Sequence, residues 1–334
     1  MKRRRARFAI TVSVTLLLAG CHGVLSTLDP ATPESSRLAE LTRILVLVAA
    51  IVFVAVVVIL MAAIRRHRGE AQSIDLANVS SRPVLVGGAI VPSAILLATF
   101  IAALGAMREY PMDRSRAITF RVIGHQWWWD VEYLDASGNI VFHTANEIHV
   151  PVGRPVRVIL NSADVIHSFW VPALHGKIDL IPGDTNEVRF TASRPGVYRG
   201  ECAEFCGLQH AHMGFMVVAD DSASFEAWAA RERSDAVAPD DSASRDGMLA
   251  VTGGPCAACH TIRGTAARGA IGPDLTHIGS RQTLAAGLLP NNAASMEAWI
   301  TDAERLKPGT TMPSLREFSG SQLREMAAYL RQLR

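Results

Sequence analysis

A surplus of charge of either sign is missing from this sequence. Its 33 Lys and Arg nearly balance 31 Asp and Glu, so neither nucleic acid nor another polyanion is an expected partner. Cysteine is scarce, five in 334 residues, and the odd number leaves at least one outside any internal disulfide. Polar side chains are absent from Ile44 to Ile64, and charged ones from Val84 to Met107. A run without polar groups over roughly 31 Å of helix is long enough to cross a bilayer core, which excludes a wholly soluble chain as the simplest reading. The hydrophobic share of 49% is concentrated here rather than spread through a large core.

What is present begins with a leader. Lys2, Arg3, Arg4, Arg5 and Arg7 precede the apolar stretch Phe8–Leu18, and Leu18-Ala19-Gly20-Cys21 follows. Residues 1–20 read as a lipoprotein-type signal peptide, with Cys21 as the lipidated first residue of the mature chain. A cleaved ordinary signal, or an uncleaved anchor with an incidental Cys21, is the competing reading. Between the two apolar runs lies Arg65-Arg66-His67-Arg68, which the positive-inside rule keeps cytoplasmic. Residues 41–107 are then a transmembrane helical hairpin, about 44–64 and 84–107, and everything after it is exported.

The exported part divides in two. Residues 117–219 hold short alternating runs, such as Val156–Leu160, Glu187–Phe190 and Phe215–Val218, bounded by Gly, Pro, Asn and Asp. Strands at this spacing predict an all-β Greek-key sandwich or barrel. Residues 220–245 are rich in Ser, Ala, Asp and Pro, and Asp-Asp-Ser-Ala-Ser occurs in them twice. They read as a mobile linker with room for one short helix, Ser224–Arg233. From Asp246 to Arg334 the pattern turns helical, with amphipathic segments Ser295–Ala303 and Ser321–Leu333.

Four cysteines form two close pairs. Cys202 and Cys206 lie within twelve residues of His210 and Met213. Thiolate, imidazole and thioether are copper ligands, and a mononuclear site would need only one thiolate. The second one suggests two coppers bridged by two sulfurs. A second imidazole must come from elsewhere, and His167 is the candidate. A Cys202–Cys206 disulfide is the competing reading. The other pair, Cys256-Ala257-Ala258-Cys259-His260, is the C-x-x-C-H signature of covalent haem c attachment.

With these motifs the hairpin and residues 117–219 resemble the cytochrome c oxidase subunit II family, and residues 246–334 resemble class I cytochromes c. The resemblance implies a multidomain chain: a two-helix transmembrane hairpin, an all-β cupredoxin-like Greek-key domain, and a small all-α cytochrome c domain. It implies a dinuclear copper centre held by His167, Cys202, Cys206, His210, Met213 and the main-chain carbonyl of Glu204. The Glu204 carboxylate would reach a magnesium shared with subunit I, Asp164 would orient His167, and Lys177 and Asp179 would face subunit I. Trp127, in His125-Gln126-Trp127-Trp128-Trp129, would receive electrons, whereas Trp128 and Trp129 read as structural. In the cytochrome domain His260 and Met312 would be the axial ligands, with His277 a rival for the sixth position, and the Pro273 carbonyl would accept the His260 N–H. One departure stands out. Residues 84–92 contain no acid, and Leu85 falls where some family members carry a glutamate at the mouth of a proton path.

The implied function is electron transfer in an aerobic oxidase of the bacterial inner membrane, from one covalent haem c to copper and on to subunit I. The donor would be a cytochrome c or a quinol-oxidising complex. A membrane-tethered carrier with no oxidase partner is the alternative. Residues 117–219 carry seven basic against ten acidic side chains and residues 246–334 nine against seven, so the two domains are expected to dock weakly through opposite charge on a flexible tether.

Overall fold

The computed structural model describes residues 23–66, 81–107 and 116–334. Cys21, the leader, and His67-Arg68 of the basic loop lie outside them. Among the described residues, 36–66 with 81–107 make one compact unit, and 23–35 with 116–334 a second.

The first unit is helical. Helix α1 runs Pro33–Arg66 and α2 Arg82–Ala106, both long and apolar enough to cross a membrane. Side chains such as Phe53, Ile59, Leu96 and Phe100 are exposed along them, and contiguous apolar surface of this kind marks a membrane or protein contact. Val86–Ile90 of α2 is a π turn. It sits just before Pro92, whose missing N–H breaks the regular ladder.

The second unit opens with a strap. Thr32 and Ser35 cap the start of α1 on each other's hydroxyls. Their side chains also donate to the carbonyls of Leu174 (2.6 Å) and Ala173 (2.7 Å), so residues just before α1 are tied to the sandwich that follows.

That sandwich has ten strands: β1 Ile118–His125, β2 Trp128–Leu134, β3 Ile140–Ala145, β4 Glu147–Pro151, β5 Val156–Ser162, β6 His167–Val171, β7 His175–Leu180, β8 Asn186–Phe190, β9 Gly196–Cys202 and β10 Gly214–Asp220. They form two five-stranded sheets, ordered β3-β2-β1-β5-β8 and β4-β10-β9-β6-β7. The parallel pairs β1/β5 and β4/β10 are the crossovers that make it a cupredoxin-like fold rather than a simple meander. Alternation does the packing. Val156, Val158 and Leu160 point inward with Phe120, Val122, Trp129 and Phe215.

The stretch expected as a linker contains one short helix. Helix α3, Ser222–Glu232, is capped by Asp221 and puts Phe225, Trp228 and Ala229 into the sandwich core. The residues after it are held by the next domain. The Arg263 guanidinium donates to the Glu232 and Ser234 carbonyls, Ala236 N donates to Arg263 O at 3.0 Å, and His277 Nε2 lies 3.1 Å from Ser234 O. The short helix allowed there by the sequence packs because three apolar residues spaced i, i+3, i+4 suffice to bury one helix face.

The C-terminal domain is helical: α4 Ser242–Gly253, α5 Cys256–Cys259, α6 Ala293–Thr301, α7 Ala303–Leu306 and α8 Gly320–Gln332. Helix α8 starts at a capping box between Ser319 and Gln322. It crosses α4 so closely that a Cβ at Gly247 would lie 2.0 Å from the Glu325 carbonyl oxygen. Val251, Met296, Ile300, Leu323, Met326 and Leu330 fill the core, so Met296 and Met326 are packing residues, as their helical spacing predicts.

Candidate metal and haem centres

Three elements of one sheet bring the sulfur and imidazole donors together. His167 opens β6, Cys202 ends β9, and the loop from there to β10 carries Glu204, Cys206, His210 and Met213. The two thiols are 3.8 Å apart, far beyond the 2.05 Å of a disulfide, which removes that reading. Cys202 Sγ lies 3.9 Å from His167 Nδ1 and 3.2 Å from Glu204 O. Cys206 Sγ lies 3.7 Å from His210 Nδ1 and 3.8 Å from Met213 Sδ. Each sulfur thus faces one imidazole, with a carbonyl on one side and a thioether on the other. Cys202, Cys206, His167 and Met213 are all buried.

The electrostatics suit a thiolate-binding cation. The Cys206 thiol and His167 hold Cys202 well below the usual thiol range, while Cys206 is pushed up by the same thiol pair and by burial. Cys202 is therefore the more acidic thiol of the pair, and a bound copper would deprotonate both. His167 is fixed from behind by Asp164 Oδ1, 2.7 Å from its Nε2, leaving Nδ1 toward the sulfurs. Glu204 turns its carboxylate outward, where Lys177 Nζ lies 3.0 Å away and also reaches Asp179 at 3.3 Å. A further group, Asp130, Glu132 and His143, has the Arg121 guanidinium 2.5 Å from Glu132 and is a ladder of opposite charges on the outer sheet face.

The second centre is a cavity in the C-terminal domain, lined by Cys256, Cys259, His260, Arg281, Trp299 and Met312 among others. His260 donates its Nδ1–H to Pro273 O at 2.8 Å, and burial keeps its pKa below the usual value, so Nε2 is available as a neutral ligand. Met312 lies in the loop on the cavity wall, whereas His277 is absent from that wall and is bonded to Ser234. The Arg281 Nε is buried with no hydrogen-bond partner among the described residues. An apolar cleft with two thiols, an imidazole, a thioether and an orphaned guanidinium N–H fits a haem carrying carboxylates.

The cavity is closed by the other domain. Gln126, Trp127, Trp128 and Asn146 of the sandwich line it too. Trp129 is core, its rings packed edge-on to His167, Phe169 and Phe215. Trp128, read from the sequence as surface or interface filler, stacks on His125 at 4.4 Å and forms part of the haem cavity's wall. Trp127 links both centres: its Nε1 donates to Cys206 O at 3.0 Å. The interdomain contacts run through backbone groups. Lys307 Nζ donates to Trp127 O, Gln209 Nε2 to Pro308 O, Gly214 N to Ala286 O, and Gln282 N to Glu147 Oε2. Sequence reasoning found the ligand candidates but missed Lys307, Trp128 and Arg281; a lysine beside Pro-Gly reads as a solvated loop charge.

A cupredoxin-like domain with a paired-thiol centre, docked on a C-x-x-C-H haem-type domain and tied to two apolar helices, defines a membrane-anchored electron-transfer protein. Residues 134–220 match the family Cytochrome C oxidase subunit II, periplasmic domain, and residues 250–334 match Cytochrome c. The chain is 32% identical over 340 residues to cytochrome c oxidase subunit 2 of Alkalihalophilus pseudofirmus, covering 98% of this chain and 97% of that one. It is 29% identical over 346 residues to the subunit 2 of Bacillus subtilis, covering 96% and 95%. The solved periplasmic domain of subunit II of cytochrome oxidase from Bradyrhizobium japonicum is 34% identical over 35% of this chain and 93% of its own, with a TM-score of 0.33. The chain belongs to the cytochrome c oxidase subunit 2 family, with a cytochrome c domain at its C-terminal end. It is thus a copper- and haem-bearing subunit of an oxidoreductase complex, serving electron transfer.

Proposed function

We propose that this chain is the electron-transfer subunit II of an aerobic respiratory cytochrome c oxidase in a bacterial inner membrane. Helices α1 and α2 both span, and both soluble domains lie on the periplasmic side. The C-terminal domain takes electrons from a cytochrome c or a quinol-oxidising complex and hands them to the cupredoxin domain, which delivers them to subunit I for reduction of oxygen to water. His167, Cys202, Cys206, His210, Met213 and the Glu204 carbonyl hold a dinuclear copper centre. Cys256 and Cys259 would attach one haem c, and His260 and Met312 would ligate its iron. When bound, these groups supply reversible one-electron chemistry. The chain's own residues hold their donors in place before binding, bury them from water, and set the two centres on either side of Trp127. Glu204 would offer its carboxylate to a magnesium shared with subunit I, and Lys177 and Asp179 beside it would face that subunit.

One observation carries this reading. Trp127 lines the haem cavity and donates from its indole to the carbonyl of Cys206, so a single side chain spans the gap between the centres. Rapid mixing of the full-length holoprotein with a reductant tests it. Haem absorbance should change first, followed by a copper phase whose rate does not depend on protein concentration. Copper reduction ahead of haem would reverse the order and sink the proposal.

A further inference from the structure

Lys307 is one of three lysines in the chain and is 3% exposed. Burial of an ammonium without a carboxylate is costly and calls for a reason. Its described partners are two carbonyl oxygens, one from each domain: Trp127 O at 2.7 Å and Ala285 O at 3.0 Å. Burial pulls its pKa down to about 7.

The next two residues touch the copper domain as well. Pro308 O accepts from Gln209 Nε2 at 2.8 Å, and Gln209 adjoins His210. Gly309 has φ +86°, and a side chain there would lie 3.2 Å from the Trp127 ring and 3.3 Å from Leu208. From the other side, Glu304 holds the Gly309 N–H with both carboxylate oxygens at 3.1 Å. Three consecutive residues at the head of the Met312 loop are therefore gripped by Trp127 and the Cys206–His210 loop. A lysine here is not a solvated charge; it is the donor that satisfies a carbonyl on each side of the interface.

We propose that Lys307 is a positioning residue, its buried ammonium clamping the Met312 loop to the backbone of Trp127 and so holding the two domains in the arrangement across which electrons pass. The clamp deepens the electron route proposed above and rests on it for its purpose, though not for its geometry. It also makes the interface part of the haem site, because Lys307, Trp127 and Trp128 all line that cavity.

The test uses full-length holoprotein in detergent. An amine-acylating reagent should label the exposed Lys177 and spare Lys307, read peptide by peptide by mass spectrometry. In K307M, orphaning two buried carbonyls should raise hydrogen exchange at the interdomain amides of Gln282 and Gly214 by about tenfold. The intramolecular haem-to-copper phase should slow by a similar factor, and K307R, which keeps a cationic donor, should restore protection and rate. Wild-type Lys307 labelling as fast as Lys177, or K307M exchanging at the wild-type rate, would overturn the clamp. The labelling ratio decides alone should K307M fail to accumulate. If K307M loosens the interface but wild type shows no concentration-independent phase, the clamp stands and the electron route fails. The converse pair of results leaves the route and removes the clamp.

Discussion

The Cys202 and Cys206 sulfurs lie 3.8 Å apart, and the proposed two-copper centre needs both. Cys206→Ser removes the sulfur that faces both His210 and Met213, so it should lose both copper equivalents while one haem per chain remains; metal analysis and haem assay of the same sample check this. A second residue gives a pH signature. Burial lowers the pKa of His149, but Asp220 at 2.6 Å and Glu147 at 3.3 Å outweigh it, and the net value lies above 6.5. A folded-state pKa above the unfolded one means stability that is full below about pH 6.5 and lost as pH rises through the folded value. His149→Gln should therefore destabilise the sandwich more at about pH 5.5 than at about pH 8.5 in urea titrations; equal losses would contradict the assignment. The ligand candidates were legible because five chemically soft donors and a C-x-x-C-H leave few other readings. Lys307 was not, since nothing local distinguishes a clamped lysine from a solvated one.

Helix α3 was expected at Ser224–Arg233, but its packing on the sandwich was not. Its sequence is mostly small and polar, and only Phe225, Trp228 and Ala229 are apolar on one face. Yet Trp228 stacks on His149 at 4.2 Å and meets Tyr133 and Phe142 edge-on at 5.3 and 5.5 Å, sealing the open end of the core. Trp228→Ala should cost about 3–5 kcal/mol, measured by denaturant unfolding of the full chain. A loss below about 1 kcal/mol, the scale of a surface change, would return this stretch to the status of a linker. The strands and terminal helices were easier to read. Their periods of 2 and 3.6 residues are sustained, as in Val156-Val158-Leu160 and in Leu323-Met326-Ala327-Leu330, and a sustained period has one burial solution.

For the whole molecule, docking of the two soluble domains was expected from net charge alone. Opposite net charges would favour a mobile encounter, but the contacts described are directed hydrogen bonds from Lys307, Gln209, Gln282 and Gly214, which select one orientation where net charge cannot. The sequence by itself determined the apolar spans, the two thiol pairs with their neighbouring imidazoles, and the order of domains, because each is encoded in spacing along the chain. Tertiary structure alone decided that Trp128 walls the haem cavity, that Lys307 is buried, and that Trp127 touches both centres. These depend on residues some eighty to one hundred and eighty positions apart meeting in space, and local periodicity carries no information about which distant surfaces will exclude water together.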